Sequence, residues 1–347
     1  MEPRGVSEDK VRTCRIGSGL RSPIRRRVVG AHLGDLMTEV VVRPFRKNDR
    51  DHVAGLVNAH CAAVLPGCTV PVNTVLSQFE REPGEFIVDP WVAERRPLVA
   101  EQNGSIAAAA LLVRYRDDTD VGESYRGVGE IRWLVFWPLA PTGNRHWTDG
   151  QDAADALAVA CIEQLHSWTS TRQLADGSLP APGIYGVPEQ WPHVTSLLLR
   201  HGFIPQPQRT ETVLIADLND LGGRVGVAVP GVVVGRSVGI NGTRCSATIN
   251  GDLVGYIEVE RLDRPERSVG TVFADIGNLW VHEDHRRRGI ATQLLHYGAR
   301  WLLQGGAQRL LAYTTPDETD LIALLQRSGF EVATNTQCGW SRAIEHE

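Results

Sequence analysis

Apolar and polar positions follow the same order twice along the chain. In each half, two apolar runs flank an Asn-Gly pair, Asn103-Gly104 in the first and Asn250-Gly251 in the second, and this dipeptide favours the tight turn of a β-hairpin. A strand-like run follows in each half, at 130–136 and at 271–281. The repeated order predicts two similar units in one chain.

Helical periodicity follows each of these strands. Apolar residues recur at helical spacing over 153–168 and again from Ala291 to Leu302. Each half closes with a further strand, a helix, a Gly-Phe pair (Gly202-Phe203 and Gly329-Phe330) and a final strand. We therefore predict an α/β fold in which each unit is a mixed, twisted sheet flanked by helices. Chance similarity between two α/β units is the alternative.

These elements divide the chain into four parts. We predict a first domain over 37–218, a linker over 219–231 and a second domain over 232–347. Residues 1–36 carry seven arginines and little apolar periodicity. They are either a disordered tail or a segment that precedes a true start at Met37.

Composition narrows the class of protein. The 347 residues carry a formal net charge of −5, which argues against a general nucleic-acid binder. No apolar run reaches the length of about 20 residues that a membrane helix needs. The six cysteines show no CxxC pair and no metal-ligand spacing, so we predict no metal site and reduced thiols in a cytoplasmic protein.

The segment after the second-half strand has the pattern of an anion-binding site. Arg286, Gly289 and Ala291 form Arg-x-x-Gly-x-Ala at the start of a predicted helix. The first N–H groups of a helix have no partner inside it, and the helix dipole adds partial positive charge, so this start suits a pyrophosphate. Gly289 lets the backbone approach a ligand closely. The alternative is an arginine-rich turn that only caps the helix.

Together with the Leu-x-Val strand end at 279–281 and the later Gly329-Phe330, this pattern resembles the acyl-CoA signature of the GNAT acetyltransferase superfamily. The resemblance implies acetyl-CoA as the co-substrate, lying in a gap where two strands splay apart. It also implies that the strand end contacts the pantetheine and thioester, and that the loop contacts the phosphates. The residues so assigned to acetyl-CoA are Leu279, Trp280, Val281, Arg286, Arg287, Arg288, Gly289, Ile290, Ala291 and Thr292.

Two residues are candidates for proton transfer. Asp275 lies eleven residues before Arg286, where the histone acetyltransferase branch of the family has a catalytic glutamate, and the resemblance implies a general base that acts through a water. A strand-end carboxylate without a chemical role is the alternative. Leu325 stands where the family has its usual tyrosine acid. Tyr313 is the nearest substitute; a packed strand tyrosine, or a thiolate that leaves unassisted, are the alternatives.

The two halves differ at this site. In the first half a stretch with two prolines, 138–147, replaces the phosphate loop, so we predict a degenerate copy that does not bind CoA in the usual way. In the second half, the stretch between Gly231 and Arg244 lacks the helical pattern with which the family covers its acceptor. We predict that the first half supplies this wall.

The sequence thus predicts direct transfer of acetyl from acetyl-CoA to a primary amine of a small molecule, by a monomer or homodimer. A non-catalytic acyl-CoA-binding regulatory or scaffold module is the first alternative, and the missing tyrosine favours it. A transferase that uses aminoacyl-tRNA is the second, because tandem folds of this kind occur there. The acidic net charge and the intact loop argue against that second alternative.

Overall fold

The computed structural model describes residues 26–29, 39–81, 89–138, 149–181, 183–223, 228–262 and 270–343. Most of the first-half stretch that replaces the phosphate loop lies outside these ranges, at 139–148, as does most of the N-terminal tail. Within the described ranges, no helix is long and apolar enough to cross a membrane.

Helices and strands alternate in the predicted order. The helices of the described part are α1 (Arg50–Val64), α2 (Val72–Glu80), α3 (Gln151–Ser167), α4 (Pro192–Arg200), α5 (Leu218–Gly223), α6 (Ile290–Gln304) and α7 (Thr319–Ser328). The strands of the same part are β1 (Arg26–Val29), β2 (Glu39–Pro44), β3 (Val92–Gln102), β4 (Ser105–Tyr115), β5 (Gly129–Phe136), β6 (Gln173–Ala175), β7 (Val187–Pro188), β8 (Phe203–Pro205), β9 (Thr210–Asp217), β10 (Val232–Val238), β11 (Thr243–Ile249), β12 (Asp252–Arg261), β13 (Phe273–Val281), β14 (Arg309–Thr314), β15 (Glu331–Gln337) and β16 (Trp340–Arg342).

The strands form two mixed sheets, and each half of the chain gives its final strand to the sheet of the other half. The N-terminal sheet has the order β1-β2-β3-β4-β5-β6-β16-β8, and the C-terminal sheet has the order β10-β11-β12-β13-β14-β9-β15-β7. β16 therefore pairs with β6 and β8, and β9 pairs with β14 and β15. At the crossing, the Cys338 N–H donates to the Arg209 carbonyl at 2.7 Å. We call this arrangement the strand exchange.

The strand exchange changes the meaning of the predicted domain bounds. The bounds 37–218 and 232–347 follow the order of elements along the chain, but neither stretch contains every strand of its sheet. The alternation of apolar residues in β9 and β16 is the same whichever sheet receives them. The periodicity of the sequence predicts that a segment forms a strand, but it does not predict which strands pair with it.

The two sheets are covered differently. In the N-terminal sheet nearly every residue of β4 is buried, because α1 and α3 both pack against it. In the C-terminal sheet α6 packs on β11, β12 and β13, and its buried residues include Leu294, Leu295 and Ala299. Between Gly231 and Arg244 the chain forms β10 and a tight turn, not a helix, which agrees with the sequence pattern.

Two local expectations differ from the structure. Residues 26–29 of the predicted tail form β1, which pairs antiparallel with β2, so this part is not a disordered tail. The first residues of the predicted linker belong to α5, which packs against α6.

Candidate functional site

The two central strands of the C-terminal sheet separate where the sequence predicts the gap. β13 and β14 run parallel, and they pair only from Phe273 with Arg309 to Asp275 with Leu311. Beyond Asp275, the described pairings of β13 are with β12 alone. The backbone groups of β13 that face β14 beyond this point are therefore available to a ligand in the gap.

A β-bulge lies at the point of separation. The register between β12 and β13 shifts between Glu258 and Val259, which leaves Gly277 as the extra residue. The turn between β10 and β11, residues 239–242, folds over this bulge: a Cβ on Gly277 would lie 2.6 Å from the Asn241 Cβ. The Ile240 N–H also donates to Glu258 Oε1 at 3.1 Å. We call residues 239–242 the hairpin tip; it stands where the family resemblance would place helices.

The predicted phosphate loop connects the end of β13 to the start of α6. Gly289 is the N-cap of α6 and has φ 86°, in the left-handed region where a side chain is strained. Arg287, with φ 60°, precedes it in the same region. Gly289 is exposed, and Ile290 starts the helix with its side chain in the core. The first N–H groups of α6 have no partner inside the helix and follow this exposed glycine, as an anion site requires.

The three arginines of the loop have different contacts. Arg286 Nε donates to the Val281 carbonyl at 3.0 Å, which ties the loop to the end of β13. Arg287 lies 3.8 Å from Asp320, and both side chains are almost fully exposed, so this pair adds little stability. Arg288 is exposed as well. All three guanidinium groups belong to the exposed part of the loop and contribute positive charge there.

Asp275 lies on the face of the C-terminal sheet that points away from α6. Val259 contacts Gly298 of α6, and side chains alternate along a strand, so Glu260 points to the opposite face. Glu260 is the cross-strand partner of Asp275. Partial burial, together with the Glu260 carboxylate, raises the pKa of Asp275 to about 6.

Tyr313, at the end of β14, lies near Asp275. Its hydroxyl oxygen is buried and has no hydrogen-bond partner among the described residues. Burial raises the pKa of the Tyr313 hydroxyl far above its usual value, and the charges of Asp275 and Glu211 add to this effect. The hydroxyl therefore stays protonated at neutral pH, and its proton remains available to a ligand.

A residue of the N-terminal half completes this cluster. The Tyr185 ring packs edge-on against Tyr313, with 5.6 Å between the ring centroids, and half of the Tyr185 side chain is exposed. Partial burial and the charges of Asp275 and Glu211 raise the pKa of the Tyr185 hydroxyl. We call Asp275, Glu211, Tyr313 and Tyr185 the acidic aromatic cluster. The first half thus contributes a ring beside Tyr313 of the second, and whether it forms the acceptor wall stays a prediction.

Charged side chains occupy the equivalent bulge of the N-terminal half. There the register of β4 and β5 shifts at Leu111, which leaves Arg132 where the second half has Gly277. Arg132 donates to the Tyr115 hydroxyl and to Asp89 Oδ1, each at 3.0 Å. Glu130, the counterpart of Asp275, is buried and accepts from the Tyr115 hydroxyl at 2.6 Å. The first half therefore has a network of charged and hydrogen-bonded side chains where the second half has a glycine bulge.

Sequence reasoning located most parts of this site but not all. Asp275 and Tyr313 lie close enough to interact electrostatically, while the loop with Arg286 and Gly289 lies at the far end of β13. Leu325, at the family's tyrosine position, is buried in the core. Tyr185 and Glu260 were missed. Only the cross-strand register could have identified Glu260, and no local signal marks Tyr185.

Within the described ranges, no three His, Cys, Asp or Glu side chains group in a way that could hold a metal ion. The four cysteines at positions 61, 68, 161 and 245 are buried. Cys338 is half-buried, and its thiol donates to the Tyr185 carbonyl at 3.2 Å.

Comparison with known proteins places the second half in a family. Residues 239–330 match the family model described as "Acetyltransferase (GNAT) family". No curated protein matches the sequence. Among solved structures, a tandem GNAT protein from the clavulanic acid biosynthesis pathway is 17% identical, with a TM-score of 0.55, over 89% of this chain and 100% of that one.

Two further structures share the fold. A GCN5-related N-acetyltransferase from Sphaerobacter thermophilus is 12% identical, with a TM-score of 0.50, over 87% of this chain and 95% of that one. A glucosamine N-acetyltransferase region of a fungal multi-domain β-N-acetylglucosaminidase is 15% identical, with a TM-score of 0.54, over 87% of this chain and 38% of that one. At these identities the likeness concerns the fold alone.

Proposed function

We propose that this chain, whose residues 239–330 match the GNAT acetyltransferase family and whose fold is similar to that of a tandem GNAT protein, transfers acetyl from acetyl-CoA to a primary amine of a small molecule. The family supports acyl transfer in general. The amine, the direct mechanism and the residues named below are parts of the proposal.

The observation that carries the proposal is the position of the α6 start beside the opened strands. The first N–H groups of α6 follow exposed Gly289 at one end of β13, and Asp275 lies at the point where β13 and β14 separate. Such a helix start favours the pyrophosphate of a nucleotide. A gap of this kind leaves β13 backbone groups for the amides of the pantetheine arm. The thioester would then lie near Asp275.

Asp275 has the properties of a general base. An amine acceptor arrives as an ammonium and must lose a proton before its nitrogen attacks the thioester carbonyl. With a pKa of about 6, the Asp275 carboxylate is ionised at pH 7 and is more basic than an ordinary aspartate. It would accept that proton, directly or through a water, while the new C–N bond forms and the C–S bond breaks.

Tyr313 is suited to the second proton movement. When the C–S bond breaks, CoA leaves the acetyl group as a thiolate, which needs a hydrogen-bond donor or a proton. The Tyr313 hydroxyl is buried and remains protonated, and its oxygen has no other partner among the described residues. We propose that it donates to the departing sulfur. Leu325 provides no such group.

The N-terminal half has a supporting role in this proposal. Arg132 and its partners occupy the bulge that corresponds to the one beside the proposed acetyl-CoA gap of the second half. A thioester arm that displaced these mutually paired charges would cost several kcal/mol. We therefore propose a single acetyl-CoA site for each chain, in the C-terminal half.

The test is a steady-state assay of the purified chain with acetyl-CoA and a panel of primary amines. Release of free CoA thiol and the mass of the acetylated amine are measured together. We expect CoA release that depends on the amine and equals the product formed. Tight binding of CoA without an acetylated product from any amine would instead support the second candidate, a non-catalytic acyl-CoA-binding module, which the buried Leu325 at the family's acid position favours.

A further inference from the structure

We propose that Tyr185, contributed by the N-terminal half, determines acceptor specificity and selects a cationic amine whose stem carries no anionic group. This inference rests on the acetyltransferase function proposed above and names the substrate class for the same site. It starts from three observations: the fixed position of the Tyr185 loop, the exposure of its ring, and the charges around it.

The loop that carries Tyr185 is held against the C-terminal sheet. Gly183 has φ 74°, and a Cβ there would lie 2.8 Å from both the Tyr313 hydroxyl oxygen and Leu311 Cδ1, so only glycine fits. After Gly183, the Tyr185 carbonyl accepts a hydrogen bond from the Cys338 thiol. Two residues further on, Val187 of β7 pairs with Gln337 of β15. The ring therefore has a defined position over β14, rather than that of a free surface side chain.

The exposed half of the ring faces solvent next to a region of negative charge. Asp275 and Glu211 both interact electrostatically with Tyr185 and Tyr313, and Glu260 lies directly across from Asp275. Arg209, a basic residue at the strand exchange, forms a side-chain hydrogen bond with the Tyr125 hydroxyl. Among the described residues, the acidic aromatic cluster therefore presents carboxylates and ring faces.

This chemistry distinguishes between amines. A ring face and nearby carboxylates both attract an ammonium group. An acceptor with a carboxylate or phosphate on its stem would meet like charge at Asp275 and Glu211, which opposes binding. An alkyl or aryl stem would pack on the Tyr185 and Tyr313 rings. The substrate class is thus an ammonium on an uncharged or further cationic stem.

The experiment compares three amines of similar length: pentylamine, 1,5-diaminopentane and 5-aminopentanoate. kcat and KM are measured for the wild-type chain, for Tyr185→Phe and for Tyr185→Ala. We expect 5-aminopentanoate to be the poorest acceptor of the wild type. Tyr185→Ala should raise the KM for 1,5-diaminopentane by about 3-fold to 30-fold, the range of a lost cation–π contact, whereas Tyr185→Phe should keep it near the wild-type value.

The control variant is Leu199→Ala, which also removes a half-exposed side chain, 53% accessible, from the N-terminal half. It should leave every parameter unchanged, and Tyr185→Ala should leave the KM for acetyl-CoA unchanged. If the wild type acetylates amines but Tyr185→Ala keeps its KM for the diamine, or if 5-aminopentanoate is preferred, the inference about Tyr185 is wrong and the acetyltransferase function stands.

A separate measurement covers the case in which no amine is acetylated. Binding of 1,5-diaminopentane to the chain saturated with CoA is then measured by calorimetry for the wild type and for Tyr185→Ala. Weaker binding to the variant would support the cation site even though the acetyltransferase proposal had failed. Equal dissociation constants, or no binding to the wild type, would overturn the inference about Tyr185.

Discussion

Asp275 and Glu260 lie directly opposite each other on neighbouring antiparallel strands, on the face of the C-terminal sheet away from α6. The Glu260 carboxylate in this relationship disfavours the ionised form of Asp275. Partial burial, together with this repulsion, raises the pKa of Asp275 to about 6. A strand position that would otherwise hold an ordinary surface aspartate thereby acquires a group suited to proton transfer near neutral pH.

The proposed general base, Asp275, can be tested by substitution. Asp275→Asn should lower kcat by roughly 10²-fold, because an amide cannot accept the proton of the ammonium. The KM for acetyl-CoA should change little, since the phosphate loop is at the other end of β13. The amine-dependent release of CoA measures both parameters. Full activity of the variant at neutral pH would remove Asp275 from the mechanism.

The pH profile gives an independent test of the same residue. Below its pKa the Asp275 carboxyl is protonated and cannot act as a base, so kcat/KM for the amine should fall on the acid side with an apparent pKa near 6. Glu260→Gln removes one cause of the raised pKa, and the acid limb should then move to lower pH. An acid limb that does not respond to Glu260→Gln would show that another group titrates there.

Stability should change with pH in the opposite sense to activity. The pKa of Asp275 is higher in the folded chain than in the unfolded chain, so ionisation opposes folding once the pH exceeds about 6, and this penalty disappears below about 4. Asp275→Asn should therefore have a higher Tm than the wild type at pH 7 to 8, and the difference should shrink towards pH 4. Thermal unfolding followed by circular dichroism measures it. A Tm difference that stays constant with pH would contradict the raised pKa.

The phosphate loop is tested at Gly289. Gly289→Glu places bulk and negative charge at the start of α6 and forces a side chain into a left-handed backbone conformation, so the KM for acetyl-CoA should rise sharply. The matched control is Gly306→Glu, because Gly306 has φ 80° and open space around it, beyond the other end of α6. Both variants carry the same backbone strain and the same charge. An equal effect on KM would show that strain, and not the ligand, is responsible.

A comparison of Arg286 with Arg287 distinguishes an arginine that holds the loop in place from one that contributes only positive charge. Its Nε donates to the Val281 carbonyl, while Arg287 pairs only weakly with exposed Asp320. Arg286→Ala should raise the KM for acetyl-CoA by up to about tenfold, more than Arg287→Ala does, because it also releases the loop from β13. High salt should reduce the effect of Arg287→Ala more than that of Arg286→Ala. Identical effects of the two variants at every salt concentration would argue that only charge matters.

Because of the strand exchange, the stability of each sheet should depend on both halves of the chain. Trp340 in β16 is buried in the N-terminal sheet, so Trp340→Ala should destabilise that sheet by about 3–5 kcal/mol although it belongs to the second half of the sequence. A fragment of residues 232–347 lacks β9 and should not fold alone. Co-expression with residues 37–218 should restore soluble protein. A stable, CoA-binding fragment 232–347 would show that the exchange is dispensable.

Much of the fold was predictable from the sequence because its causes are local. The hairpin turns at Asn103 and Asn250, the helical stripe of α6 and the glycine at the start of that helix each depend on a few neighbouring residues. Their bounds agree with the structure to within a few residues. The internal repeat likewise indicated two similar sheets, because each copy contains the same order of strands and helices.

The tertiary structure alone decided which sheet receives β9 and β16, which side chain faces Asp275, and that Tyr185 of the first half reaches Tyr313 of the second. Strand pairing and long-range packing join residues that are far apart in the chain. The alternation of apolar and polar residues in one strand does not specify which strand pairs with it. The sequence by itself determined the parts of the candidate site that lie along one strand, loop and helix. Its acceptor side depends on contacts between the halves, which exist only once both sheets have folded against each other.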